Sequence, residues 1–411
     1  MSKRPRLAIV GGGASGMAAA LEAAKRVDVV LYESHTRLGR KLLATGNGHC
    51  NFSHKGFNDA NYHGNHPHFV HDALSRHDEA DTLAFFQALG LEATVDNRNR
   101  YYPASLQGSA VLDILRLSLD EAGVEVRCDT RITAIHQTKD GRFSLLHKAG
   151  KDRADAVIVA AGGEAAPKLG GTCDGYKLLG AFGHSMIETA PGIVQLNADI
   201  SELKAANGLK RDVTIAIQSE NKTIVRDSGE LLITNYGLSG PPVLQCAGHA
   251  VRALNKGKKV KAVLNFFPEE DYEHLLEHFR ERLALHPLRS ADTFFVGLLP
   301  RLLAQCALKA VGLKPQQPLN DQALAHLARK LNAWQVPIIG PRTFSEAQVT
   351  LGGIDTADFD PTTMASWMVP GLYACGEVLD IDGDCGGYNL QWAWSSGRLA
   401  GESAANYLLT D

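Results

Sequence analysis

Three glycines and one acid carry the first chemical signal in this 411-residue chain. Gly11, Gly13 and Gly16 fill G-x-G-x-x-G within "AIVGGGASGMAAALEAA", and Glu33 lies 22 residues beyond Gly11. In this pattern the first glycine allows a tight turn. The second lets a pyrophosphate approach bare backbone, and the third lets a helix pack closely on a strand. An acid at that distance accepts hydrogen bonds from ribose hydroxyls. The chemistry implied is capture of a dinucleotide. Two further residues could carry a proton in a reduction: Cys50, in a glycine-rich stretch, and Tyr388, after a second one. Adding hydride to a conjugated C=C bond requires such a donor on the neighbouring carbon. Cys50 reads equally as a small packing residue, and Tyr388 as a ring that stacks on a ligand.

The elements that must position these groups follow from patterning. Leu7–Val10 is a short apolar run suited to a buried parallel strand. Ala14–Arg26, rich in alanine, predicts a helix, and the β-branched Val27–Glu33 a second strand. The result is a βαβ unit with Ala14, Ser15 and Gly16 at a helix N-terminus, where free N–H groups and the helix dipole favour phosphate. The motif alone leaves FAD and NAD open. The next stretch, "HTRLGRKLLATGNGHCNFS" (His35–Ser53), favours FAD, because a polar segment punctuated by Gly39, Gly46 and Gly48 and carrying Arg40 and Lys41 suits an extended cofactor. Ala154–Gly171 predicts a buried strand ending in Ala160-Ala161-Gly162-Gly163, small enough for close backbone approach. Near the C-terminus a strand (Gly371–Cys375) leads through a glycine-rich loop to a helix from about Asn389. The N-terminus of that helix can stabilise negative charge on a reduced flavin.

With these stretches in order, the chain resembles the BaiN/RdsA-type (YhiN-like) NAD(P)/FAD-dependent flavoproteins. The motifs are "GRKLLATGNGHCN" (Gly39–Asn51), "GLSGPPVLQ" (Gly237–Gln245), "VTLGGIDT" (Val349–Thr356) and "VPGLYACGEVLDIDGDCGGYNLQWAWSSG" (Val369–Gly397). The resemblance implies an α/β fold, a two-dinucleotide-binding-domain (Rossmann-like) flavoprotein with β-barrel-like and helical insertions. Its FAD would be held by Gly11, Gly13, Ala14, Ser15, Gly16, Glu33, Arg40, Lys41, Gly46, Asn47, Gly48, Ile132, Ala160, Ala161, Gly162, Gly376, Glu377, Gly386, Gly387, Tyr388, Asn389 and Leu390. The sequence departs from the group at His49, at Asn235 and in "GGEAAPKLGGTCDGY" (Gly162–Tyr176), positions that bear on the substrate rather than on FAD.

Residues 1–190 and 345–411 are therefore expected to form the FAD domain, 191–268 with 333–344 a barrel, and 269–332 a helical insertion. Strands are predicted at Val124–Arg127, Arg131–His136 and Phe143–His147 as one antiparallel piece. In the barrel they are predicted at Asp212–Gln218, Lys222–Asp227, Glu230–Ile233 and Lys259–Phe266. Lys256, Lys258, Lys259 and Lys261 read best as guards of a strand edge, with phosphate binding as the alternative. Arg100, Tyr101 and Tyr102 resemble a pocket-lining segment of the group. His63, His66, His68, His71 and His77 read as surface histidines, and no metal site is expected.

Composition bounds the function. A net charge of −3 provides no whole-protein field for nucleic acid or an anionic membrane. Seven widely spaced cysteines without C-x-x-C suit free thiols in a reducing compartment and argue against a zinc ribbon or a dithiol redox centre. No apolar run is long enough for a signal peptide or a membrane span, so the chain reads as cytoplasmic. The absence of a second G-x-G-x-x-G means that NAD(P)H, the expected electron donor, would dock only transiently. The implied activity is reduction of an activated C=C bond, in a small steroid-like molecule or in uridine of ribosomal RNA. The alternatives are an RNA-binding modification factor, or a flavin oxidase or sensor without a nicotinamide site.

Overall fold

The computed structural model describes residues 4–410, which divide into two compact units: Met1–Ala190 with Gln348–Asp411, and Pro191–Ala347. The first unit is built on a five-stranded parallel sheet in the order Leu372–Ala374, Ala156–Val159, Arg6–Val10, Asp28–Tyr32, Glu125–Arg127. Its strands are nearly continuous apolar runs because helices cover both faces, as a parallel sheet requires. The order reverses at Arg6–Val10, so the crevice beyond Val10 and Val159 is the topological switch point where such sheets bind ligands.

The nucleotide helix, Ala14–Ala24, leaves this crevice and meets the C-terminal helix, Tyr388–Leu409. The two touch at backbone distance. A Cβ on Gly397 would lie 2.4 Å from the Ser15 carbonyl oxygen, and one on Gly401 2.4 Å from that of Ala19. Glycines four residues apart thus share a face and let the axes close in.

Three antiparallel strands, Ile132–Gln137, Phe143–His147 and Gly150–Ala154, form a separate sheet in this unit. The strand expected around Val124 is not part of it. Glu125–Arg127 instead pairs in parallel with Val30–Tyr32 as the sheet's outer strand. Its short run lacked the period that would have told the two sheets apart.

The second unit contains a closed six-stranded barrel, ordered Leu196–Ala198, Gly237–Ser239, Lys222–Ile233, Lys210–Ser219, Val260–Asn265, Trp334–Pro341. The two strands expected between Lys222 and Ile233 are one, running through Gly229 opposite Val213. Closure also corrects the reading of the lysines as edge guards. Val260–Asn265 pairs on one side with Thr214–Ser219 and on the other with Trp334–Ile338, so it has no free edge to protect. Helices Tyr272–Leu285, Ala291–Phe294, Arg301–Ala310 and Asp321–Asn332 occupy the helical stretch of the same unit. Phe279, Phe294 and Phe295 pack there edge to face, with centroids 5.0–5.7 Å apart. All seven cysteines are free thiols, and no described helix is long and apolar enough to cross a membrane.

The helix crossing gives a direct test. Gly401→Ala drives a methyl into the Ala19 carbonyl and should lower unfolding free energy by about 1–3 kcal/mol, read by urea titration. An unchanged midpoint would show that the helices have room to separate.

Candidate functional site

The glycine turn has the geometry that its three roles require. Gly11 sits at φ +115°, and a Cβ there would lie 2.3 Å from the Ala160 carbonyl oxygen, across the switch point. A Cβ on Gly16 would lie 1.9 Å from the Gly11 carbonyl oxygen, so only glycine lets the helix start this close to the strand. Gly13 differs: a Cβ there would meet nothing within 4 Å. Its backbone faces open space at a helix N-terminus whose first intrahelical bond is Met17 N–H to Gly13 O, which leaves the N–H groups of Ala14, Ser15 and Gly16 outside the helical ladder. These donors suit a pyrophosphate.

Glu33 directly follows the strand Asp28–Tyr32. Its carboxylate accepts from Gly12 N–H at 3.0 Å and His35 N–H at 2.8 Å, so its direction is set by backbone while acceptor capacity remains. Arg40 is anchored on His35 Nδ1 (2.7 Å) and on the Lys168 carbonyl (2.8 Å). Lys41 Nζ pairs with Glu377 at 2.7 Å, joining the early glycine loop to the C-terminal one. The other oxygen of Glu377 accepts the Thr350 N–H.

Between them the chain is bent hard. Gly46, Asn47, Gly48 and Cys50 all have positive φ. For Asn47 and Cys50 this is a strained conformation of the kind that clusters at ligand sites. Beyond the bend, the buried Asn51 Oδ1 makes no hydrogen bond, and a Cβ on Gly387 would lie 2.7 Å from it. Gly386 and Gly387 thus bring the start of the C-terminal helix onto the early loop. Asn389 closes the turn, with its side chain donating to the Gly383 carbonyl and accepting the Gly383 N–H. Gly376 is pinned by Ser396 and by the Trp392 indole, which donates to its carbonyl. Ala160, Ala161 and Gly162 follow Val159 into the crevice, Gly162 at φ +71°. Ile132 is buried at the head of the antiparallel sheet, and Leu390 is half-buried in the first turn of the C-terminal helix.

The two proton-donor candidates differ sharply. Cys50 is fully buried against Gly108, and burial pushes its thiol up to about 11. Tyr388 opens the C-terminal helix, its ring stacked on His54 (4.6 Å, 20°) and edge-on to Tyr62 (6.1 Å). Burial first, then the Asp384 charge, push its phenol up to about 12. Arg100 is tied to Asp96 and lies over the Tyr102 ring at 5.7 Å, whereas Tyr101 donates to Glu79. Of the histidines, His63, His71 and His77 meet Asp384, Asp59 and Asp81 at 2.9–3.0 Å, and His66 meets Asp355 at 3.5 Å. His66, His68 and His71 are exposed as expected, but His77 is buried, because it ends the helix His71–Arg76 against Asp81.

Two residues to which the sequence assigned no role lie beside the Glu377 loop. The Tyr176 hydroxyl is buried beside Thr350, Glu377 and Glu164; burial first, then the charges of Glu377 and Glu164, raise its pKa, against a smaller lowering by Thr350. Thr350 Oγ1 accepts the Ala165 N–H. Their meeting depends on long-range packing, which the quoted stretches "VTLGGIDT" and "GGEAAPKLGGTCDGY" that contain them could not show.

The HI0933-like protein Rossmann domain matches residues 5–403. The 3-dehydro-bile acid delta(4,6)-reductase of Clostridium scindens is 35% identical over 97% of this chain and 99% of its own length. The ribosomal RNA dihydrouridine synthase of Escherichia coli is 32% identical over 94% and 95%. Among solved structures, 3-ketosteroid delta1-dehydrogenase from Sterolibacterium denitrificans shares the fold at a TM-score of 0.51 and 10% identity, covering 97% of this chain and 99% of that one.

The acid at the strand end yields a binding prediction. Glu33→Ala should weaken FAD binding by about 1.5–3 kcal/mol, the cost of losing hydrogen bonds to a charged group, and Glu33→Gln by less. Fluorescence titration of FAD into apoprotein reads this; equal affinities would remove Glu33 from the site. The parallel switch-point sheet, the three glycine roles and the family match lead to one conclusion: this chain has the Rossmann-like flavoprotein oxidoreductase fold and belongs to the HI0933-like family.

Proposed function

We propose that the chain is an FAD-dependent reductase of an activated C=C bond, with NAD(P)H as electron donor, in a reducing, cytoplasmic setting. The observation that carries this reading is the glycine-lined crevice, closed by two loops that Lys41 and Glu377 join. The free N–H groups beside Gly13, the acceptor at Glu33 and the unpaired Asn51 Oδ1 fit FAD. The relatives' names support the choice of a conjugated substrate, a steroid-like enone or a uridine in ribosomal RNA, since both hold C=C next to a carbonyl.

Bound FAD, once reduced by NAD(P)H, would supply hydride to the β-carbon of such a bond. The chain's own residues do the rest. The pyrophosphate is held by N–H groups at Ala14 to Gly16, and the adenosine ribose by Glu33. The helix N-terminus at Tyr388 favours negative charge on the flavin end. Tyr388 holds the proton for the α-carbon. A phenol at about 12 keeps that proton at neutral pH and releases it only to a strongly basic carbon. Cys50 takes the packing role, because nothing gives its buried thiol access to substrate. Half-buried Arg100 and Tyr102 would line the substrate pocket.

Tyr388→Phe keeps the stack on His54 and loses the proton. It should lower kcat for enone reduction by about 10²–10⁴ with little change in KM. Cys50→Ser should lower it far less. If Tyr388→Phe turns over at the parent rate, the donor lies elsewhere. In the parent enzyme the Tyr388 phenol should impose no alkaline loss at pH about 10, where an ordinary tyrosine is already half ionised.

With one five-stranded parallel sheet and one G-x-G-x-x-G turn to serve both, nicotinamide and substrate would share one flavin face. Initial rates at varied NADPH and substrate should give parallel double-reciprocal lines. Intersecting lines would require a separate nicotinamide site.

A further inference from the structure

The lysines that the barrel frees from edge duty form a surface with no structural reason to be basic. Lys256, Lys258 and Lys259 lie in the connection from the helix Pro241–Asn255 to the strand Val260–Asn265, and all three are exposed. Register brings further cations to the same end of the barrel. Ser219 pairs with both Lys222 and Val260, and Gln218 pairs with Lys261, so Lys222 and Lys261 flank the turn at Glu220-Asn221.

Little acid answers this charge. Lys258 meets Glu220 at 3.0 Å, and Lys261 meets only the neutral Asn221 and Gln335, each at 3.2 Å. Among the described residues Lys222, Lys256 and Lys259 have no carboxylate within ion-pair distance. Gln335 also lines a cavity of about 590 Å³ whose wall carries both signs, His326, Arg329 and Lys330 with Asp199 and Glu202, so the unanswered charge is confined to the barrel end. Charge is split between the units in the same sense. Residues 191–347 hold 19 lysines and arginines against 15 aspartates and glutamates, while the rest of the chain holds 23 against 30. A net charge of −3 therefore conceals a basic unit and an acidic one.

We propose that this lysine-rich end of the barrel is a docking surface for the phosphate backbone of RNA. The proposal rests on the uridine-in-RNA form of the function above. Flexible lysines spaced along a loop and two adjacent strands suit a chain of phosphates, each a point charge that needs no fixed geometry. They are poorly suited to a small enone, which carries no such charge.

The test uses the full-length FAD-loaded protein, a fluorescein-labelled RNA hairpin and a triple variant, Lys222→Gln, Lys256→Gln and Lys259→Gln. These side chains are exposed and unpaired, so folding is unaffected. The parent should bind the hairpin with an affinity that falls steeply with salt. The variant should bind roughly tenfold or more weakly at near-physiological salt. Its slope of log affinity against log salt should be shallower by about 2–3, at about 0.7–0.9 per lost contact. Reduction of the bound flavin by NADPH should proceed at the parent rate in the variant. An RNA-binding parent with an unchanged variant would overturn the surface, as would a parent that does not bind RNA. Lysine-dependent binding to phosphatidylserine vesicles without RNA binding would overturn it in favour of a membrane. The reductase reading fails separately: a parent that binds RNA through these lysines but reduces neither steroid nor uridine would sink that reading and leave the surface standing.

Discussion

The site depends on a backbone contact between two helices from opposite ends of the chain. Gly397 and Gly401 let the C-terminal helix lie directly on the carbonyls of Ser15 and Ala19. That contact fixes the start of the C-terminal helix relative to the phosphate turn. It therefore fixes Gly376, Gly386, Gly387 and Tyr388 relative to Gly11, Gly13 and Gly16. A residue larger than glycine at either position would push the helix out and open both loops at once. Because interiors are close-packed, a shift of that kind is not absorbed locally. The 157 residues from Pro191 to Ala347 can thus be inserted between the two halves of the first unit, which is closed by its own packing.

A second constraint acts at the loops. Positive φ at Asn47 and Cys50 stores strain in the early loop. The Lys41–Glu377 pair and the approach of Gly387 to Asn51 hold that strained path against the C-terminal loop. A loop of this kind gains its order from what it is held against. This explains why its glycines recur at spacings that match neither a helix nor a strand.

Much of this was legible in the sequence because local chemistry dictated it. The turn at Gly11 to Gly16 needs glycine for reasons that act within six residues, and the acid at Glu33 ends a strand with an unmistakable β-branched pattern. The C-terminal motif announced its loop and helix to within one residue: expected from about Asn389, the helix begins at Tyr388. Long-range features were not legible. Whether Glu125–Arg127 joins a parallel or an antiparallel sheet depends on a partner 95 residues earlier, at Val30. The lysines near Lys259 looked like edge guards because sequence shows a strand but not whether a barrel closes around it. The burial of Tyr176 beside Glu377 depends on where two distant segments meet, as does the contrast between the buried Cys50 and the stacked Tyr388.

The central claim is that this crevice holds FAD and delivers its electrons to a conjugated C=C bond. The most direct measurement is an anaerobic single turnover. Purified protein is reduced until its flavin absorbance is bleached, then mixed either with a 3-oxo-Δ4 steroid or with an unmodified ribosomal RNA fragment. The account predicts that absorbance returns with one of the two, with a stoichiometric amount of saturated product identified by mass spectrometry. Colour that returns only when oxygen is admitted, with neither substrate changed, would contradict it.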